Sequence, residues 1–181
     1  DVIAGAPTSG NGGAYIRYGS ASTLVELETD LEQITADDLW SASSNQDSLT
    51  SSPYWGGAEF GWSVSSAGDV NGDGFDDVVI GAHKYDGAKQ DSGRAYVFHG
   101  SKDGLETSEA WTVESDQEGA GLGHAVAGAG DVNGDGYEDV VAAARNYEDG
   151  EVTEGRVYLY LGSASGLATT AAWTKDGNAP S

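Results

Sequence analysis

Short apolar runs alternate with turn-rich polar segments along this chain. In its middle part the runs fall at 60–66, 77–82, 94–98 and 110–114, and none has the spacing of an amphipathic helix. Short runs bounded by Gly, Asn, Asp and Ser are typical of antiparallel strands joined by tight turns. The pattern therefore predicts an all-β fold whose unit is a group of four consecutive strands.

This four-strand unit recurs. The segment 69–79 reads Asp-Val-Asn-Gly-Asp-Gly-Phe-Asp-Asp-Val-Val, and 131–141 repeats it with Tyr for Phe and Glu for the first Asp of the Asp-Asp pair. A second matched pair, 93–101 and 155–163, keeps the same offset of 62 residues. Recurrent units of four short strands are typical of β-propeller blades, which are arranged around a central axis.

The repeat divides the chain into blades. We assign 1–58 to a partial blade that lacks its first strand and contains insertions at 23–38 and 43–58, and complete blades to 59–119 and 120–181. Propellers close with about 4 to 8 blades, so we expect a fragment of a larger propeller, or a propeller closed by oligomerisation. The first insertion has apolar residues at helical spacing, which favours a short amphipathic helix; they are Leu24, Leu27, Leu31 and Ile34.

Each complete blade contains a loop, 69–77 or 131–139, with side-chain oxygens at alternating positions. Calcium prefers about 6 to 8 oxygen ligands. Asn-Gly-Asp-Gly is also a hairpin turn, but its recurrence with every candidate ligand retained favours metal binding. We expect two structural calcium ions, with main-chain carbonyls as ligands from the aromatic residues. The candidate ligands are Asp69, Asn71, Asp73, Phe75, Asp77, Asp131, Asn133, Asp135, Tyr137 and Asp139.

These loops are not EF-hands. An EF-hand requires a bidentate Glu at its twelfth position and a helix on each side. Counted from the first Asp of each loop, that position holds Ile80 or Ala142, inside a β-type run.

Together, these features resemble the FG-GAP repeats of the integrin α-subunit propeller and its bacterial relatives. The resemblance rests on Phe60-Gly61, the two Asp-x-Asn-Gly-Asp-Gly loops, Ile80-Gly81-Ala82 and the Gly-x-Ala/Val-Tyr strands. It implies calcium in the loops that join strands one and two of each blade, on the lower face of the propeller. It also implies ligand recognition on the opposite, upper face. Leu122-Gly123 departs from the Phe-Gly pattern and is expected to change packing only.

Three connections are expected on the upper face, namely 43–59, 84–93 and 146–155. The first contains Tyr54 and Trp55, which are candidate partner-binding residues because large amphipathic aromatics often anchor interfaces. We expect a protein or glycan ligand on this face. Recognition and adhesion of this kind imply an extracellular or cell-surface location.

Charge and composition restrict the partners. Eight Lys and Arg residues stand against 30 Asp and Glu, a formal net charge of -22 that would repel nucleic acid. The chain has no cysteine, which excludes disulfides and thiolate metal sites. No apolar run is long enough to predict a membrane span. Heavy acidity without cysteine favours a bacterial rather than an animal source.

No catalytic motif is recognisable, and a non-enzymatic module is expected. His83, His99 and His124 have no counterparts in the matching blade and are expected to be packing or surface residues. Two alternatives stay open. One is part of a secreted FG-GAP-containing enzyme such as a polysaccharide lyase, and the other is a structural, self-assembling propeller fragment.

Overall fold

The computed structural model describes residues 2–6, 13–17, 39–42, 57–150 and 154–177. Within these ranges the chain forms eleven β-strands and no α-helix, arranged in three antiparallel sheets. No helix in the described part is long and apolar enough to cross a membrane. The helix expected within 23–38, and the residues Tyr54 and Trp55, lie outside the described residues.

Each sheet pairs its strands in sequence order, so that every strand lies beside the strands that precede and follow it. The first sheet contains β1 (Val2–Ala6), β2 (Gly13–Arg17) and β3 (Leu39–Ala42). The second contains β4 (Ser63–Gly68), β5 (Asp77–Ala82), β6 (Arg94–Phe98) and β7 (Trp111–Glu114). The third contains β8 (Leu122–Gly130), β9 (Asp139–Ala144), β10 (Arg156–Tyr160) and β11 (Trp173–Asp176). The predicted all-β fold with four-stranded antiparallel blades is confirmed.

The inner strand of the second blade begins later than the sequence indicates. It was expected from Phe60, but β4 begins at Ser63. Gly61 has a φ of 85°, and the Trp62 N–H donates to the Glu59 carbonyl at 3.1 Å, so a tight turn occupies the expected first residues of the strand. Phe60 is instead fully buried ahead of the strand.

The second and third blades pack face to face. Val79, Val97 and Trp111 lie side by side across β5, β6 and β7, and all three are buried. Val140, Ala142 and Tyr160 of the third blade belong to the same buried cluster. The Trp111 indole N–H donates to the Ala168 carbonyl at 3.0 Å, and its ring meets that of Tyr160 edge-on at 4.9 Å. This interface is the larger described part of the core.

The inner strands of the two blades approach closely at a pair of glycines. A Cβ atom on Gly81 would lie 2.0 Å from the carbonyl oxygen of Gly123, a distance that no side chain can accommodate. The Ser63 hydroxyl donates to the same carbonyl at 2.8 Å. Paired glycines therefore allow the two blades to approach closely at this point.

Within the described residues, no further blade packs against the outward face of the third blade. Val141, Leu159 and Trp173 repeat the cross-strand arrangement of Val79, Val97 and Trp111. Trp173 is nevertheless 51% exposed, whereas Trp111 is 6% exposed. The third blade thus presents the same apolar surface that the second blade buries.

Candidate functional site

The two candidate metal loops lie at the same end of adjacent blades. The first joins β4 to β5, and the second joins β8 to β9. We call this end the lower face and the other end of β5 and β9 the upper face. This is where the resemblance puts the metal loops, between the first and second strands of a blade.

Hydrogen bonds to side-chain oxygens shape the first loop. Asp69 Oδ1 accepts from the N–H groups of Gly72 and Asp73 at 2.7 and 3.0 Å, and its Oδ2 accepts from Gly74 at 2.8 Å. Asn71 Oδ1 accepts from the Asp73 N–H at 2.9 Å. Gly72 and Gly74 have φ angles of 75° and 90°, which explains why glycine occupies both turns.

The second loop repeats these contacts bond for bond. Asp131 accepts from Gly134, Asp135 and Gly136 at 2.7, 3.0 and 2.8 Å. The N–H of Gly136, followed by those of Gly134 and Asp135, lowers the pKa of Asp131. A lowered pKa keeps this carboxylate ionised, which a cation site requires.

The last Asp of each loop is placed differently from the others. Asp77 is fully buried, and its two carboxylate oxygens accept from the N–H groups of Val70 and Gly100 at 2.9 and 2.8 Å. Asp139 accepts from Val132 and Gly162, each at 2.9 Å. Through these bonds each Asp joins its loop to the residues just after the third strand of the blade, at Gly100 or Gly162. The loop pattern did not indicate this role.

Burial raises the pKa of Asp77, although its hydrogen bonds from Gly100 and Val70 oppose the shift. A nearby cation would favour the ionised carboxylate.

The donor atoms of both loops fit calcium, because carboxylate and amide oxygens are the ligands that hard cations prefer. Each carboxylate oxygen has a second lone pair, so a backbone hydrogen bond does not prevent it from also binding a cation. The described residues nevertheless contain no group of three or more His, Asp or Glu side chains placed to hold one metal ion. The loops therefore supply suitable donors that do not converge in this structure.

The two loops also contact each other. The Glu138 N–H donates to the Asp69 carbonyl at 3.1 Å. A Cβ on Gly72 would lie 2.6 Å from Tyr137 Cε1, so the tyrosine ring of the second loop lies directly against the first loop. Phe75, which holds the equivalent position in the first loop, is 40% exposed.

On the upper face, a cleft of about 260 Å³ lies between the second and third blades. Its walls pair equivalent positions of the repeat, 62 residues apart: Trp62 with His124, His83 with Arg145, and Lys84 with Asn146. Each pair holds two different residues, whereas the surrounding strands repeat closely. The sequence contained this signal, but it becomes meaningful only when the blades are seen side by side.

Three rings form one side of the cleft. The Trp62 ring lies 4.5 Å from that of His83 and 5.7 Å from that of His124, between ring centroids. Burial lowers the pKa of His83 to about 4, with His124, Lys84 and Arg145 adding to the shift and Glu59 opposing it. Burial and Arg145 also lower the pKa of His124. Both imidazoles are therefore neutral at pH 7.

The third histidine lies elsewhere. His99 follows β6, and its ring lies about 3.5 Å from where a Cβ on Gly166 would stand, so it packs against the third blade.

Two segments of the chain, 60–98 and 122–160, match the family model of the FG-GAP repeat. The chain contains FG-GAP repeats. The first match begins in the turn before β4 and ends with β6, and the second runs from the start of β8 to the end of β10. Each includes one candidate metal loop. The resemblance inferred from Phe60-Gly61 and the two loops is confirmed.

Relatives of these FG-GAP repeats include integrin α subunits. Integrin alpha pat-2 of Caenorhabditis briggsae is 45% identical over 94 residues, covering 50% of this chain and 7% of that protein. Integrin alpha-4 of Xenopus laevis is 36% identical over 112 residues, covering 61% and 10%. Integrin alpha-6 of Gallus gallus is 29% identical over 176 residues, covering 97% and 14%. The chain thus spans about a tenth of the length of these relatives.

These three relatives are animal proteins. They give no support to the bacterial source that the composition favoured. Their names also give no support to the alternative of a secreted polysaccharide-degrading enzyme.

Proposed function

We propose that this chain is a calcium-stabilised, integrin-like segment of a β-propeller that serves in extracellular recognition and adhesion. The observation that carries the proposal is the pair of equivalent Asp-x-Asn-x-Asp-Gly loops at the same end of adjacent FG-GAP blades. The similarity to integrin α subunits supports a recognition role outside the cell rather than catalysis.

Calcium in this proposal has a structural role. Asp69, Asn71, Asp73 and Asp77, with the Phe75 carbonyl, would hold one ion. Their counterparts Asp131, Asn133, Asp135, Asp139 and the Tyr137 carbonyl would hold the second. The ion supplies positive charge that offsets repulsion between carboxylates crowded on one loop, so its binding energy adds to folding stability.

Recognition is assigned to the upper face. The cleft lined by Trp62, His83, His124 and Arg145 lies there, at the far end of β5 and β9 from the metal loops. A protein or glycan ligand bound at this end would leave the calcium loops undisturbed. The two functions then belong to separate ends of the same blades.

The exposed face of the third blade supports a second role, in assembly. Val157 and Trp173 are 38% and 51% exposed, whereas the matching Ala95 and Trp111 are buried under the next blade. We propose that this face packs against a further blade, of the parent protein or of another copy. Such packing would continue the ring that a propeller requires.

Calorimetric titration with calcium tests the metal assignment. We expect two ions per wild-type chain and one in each of the variants Asp73→Asn and Asp135→Asn, because each substitution removes a charged ligand from one loop only. Asp103→Asn, an exposed acidic residue outside both loops, is the matched control and should retain two. An unchanged stoichiometry in both loop variants, or no binding to the wild type, would overturn the proposal.

A further inference from the structure

The upper cleft has a composition that suits a particular class of ligand. One side carries the Trp62, His83 and His124 rings, and Trp62 is 44% exposed. Arg145, Lys84 and Asn146 supply polar groups to the same cleft. A volume of about 260 Å³ is below the roughly 300 Å³ at which pockets for drug-sized molecules begin, so the cleft suits a single ring rather than a long molecule.

Arg145 is the cation available to a ligand here. Lys84 and His83 both lie against Glu59, and the Lys84 ammonium is paired with its carboxylate. Arg145, by contrast, is exposed and forms no ion pair within the described part of the chain. It lines the same cleft as Trp62 and the two imidazoles. The chain has a net charge of -22, so acidic side chains far outnumber basic ones. A guanidinium without an acidic partner is therefore unusual here.

We propose that this cleft binds a carboxylate-bearing sugar ring, a uronic acid unit of a glycan. The apolar C–H face of the ring lies on Trp62, its carboxylate pairs with Arg145, and a hydroxyl bonds to Asn146. This inference rests on the proposed recognition role of the upper face and names its ligand class. A carboxylate on a peptide side chain would use Arg145 but would leave the exposed indole uncovered.

Glu59 and Asp91 oppose anion binding in this cleft. Glu59 is compensated by its contacts with Lys84 and His83. Asp91 lies on the β5–β6 connection, where burial and Asp86 raise its pKa. The carboxylate therefore has to lie on the Arg145 side, so ligand orientation is fixed by charge as well as by stacking.

Nuclear magnetic resonance titration of the labelled chain with methyl β-D-glucuronide tests the proposal. We expect the indole N–H of Trp62 and the amide of His124 to shift, with a dissociation constant in the millimolar range. Arg145→Gln should weaken binding about tenfold, the loss expected for one charge-assisted hydrogen bond. Lys102→Gln makes the same change of charge on the exposed 99–110 connection and should bind normally.

Two further ligands test the carboxylate and the sugar ring separately. The uncharged methyl β-D-glucoside should bind about tenfold more weakly than the glucuronide, since it lacks the carboxylate. N-acetyl-aspartate amide, the peptide analogue, should bind weakly and independently of Trp62→Ala. Equal binding of glucoside and glucuronide would overturn the carboxylate assignment, and equal binding of the aspartate analogue would replace the sugar with a peptide.

Absence of any shift in Trp62 with saturating glucuronide would overturn the inference as a whole. A calcium titration of the same sample keeps this outcome distinct from a failure of the proposed function. Intact binding of two calcium ions without glucuronide binding would refute the sugar site alone.

Discussion

Single residues of the calcium-type loops divide into two groups that the pattern Asp-x-Asn-x-Asp-Gly-x-x-Asp does not distinguish. Asp69, Asn71 and Asp73 lie on the turn itself, where Asp73 is exposed and the other two are half-buried. Asp77 is buried and bonded to two backbone amides. The amide of Gly100, 23 residues along the chain, is one of them, and such a long-range contact leaves no local signal in the sequence.

Substitutions of Asp77 and Asp73 distinguish the buried, structural position from the exposed one. In the absence of metal, Asp77→Asn should lower the free energy of unfolding by about 1–3 kcal/mol, because an amide can accept only one of the two backbone hydrogen bonds. Asp73→Asn, on the exposed part of the same loop, should change it by only about 0.5 kcal/mol or less. Urea unfolding in EDTA measures both. Equal losses in the two variants would refute the structural role of Asp77.

His83 should make stability depend on pH. Its folded-state pKa of about 4 lies below the ordinary value of 6.5, so the unfolded chain binds more protons between these values. The stabilising contribution of the neutral ring is complete above pH 6.5 and is lost as pH falls from 6.5 toward 4. We expect wild type to lose more stability than His83→Gln between pH 7 and pH 5 in urea unfolding. Parallel stability curves would contradict the lowered pKa.

The strands were the most predictable elements. β5 and β6 have the bounds 77–82 and 94–98 that the apolar runs indicated, because their residues are buried and flanked by turns. The inner strands were less predictable. The turn at Gly61 delays β4, and β8 extends to Gly130 through irregular pairing with β9. Positive φ at a glycine and a shift of register depend on neighbouring blades, which a local pattern does not contain.

A matched pair of tryptophans tests the packing of the blades as elements. Trp111→Ala should destabilise the chain by about 3–5 kcal/mol, because the side chain is buried between two blades. Trp173→Ala, at the equivalent but exposed position, should cost about 1 kcal/mol or less.

Unfolding in urea measures both variants, and light scattering of Trp173→Ala tests the assembly role at the same time. If the third blade packs onto another copy, this variant should associate less than wild type. A large stability loss in a strictly monomeric Trp173→Ala would contradict the exposure of this face.

At the scale of the molecule, the FG-GAP repeats and the four-stranded blades could be predicted from the sequence because the repeat is long and specific. The upper cleft could not. Its residues come from equivalent positions of two blades, Trp62 with His124 and His83 with Arg145, and only their meeting across the blade interface makes a site. From the sequence, each histidine was expected to be a packing or surface residue, and only the neighbouring blade shows that His83 and His124 line one cleft.

Thermal unfolding with and without calcium tests the central claim most directly. Saturating a site at about 100 times its dissociation constant stabilises a protein by about 2.7 kcal/mol, and 1 kcal/mol corresponds to about 2–4 °C in a domain of this size. Calcium in excess should therefore raise the Tm of the chain by several degrees over the value in EGTA, and magnesium should not reproduce the full effect. Identical melting curves in calcium and in EGTA would contradict the account.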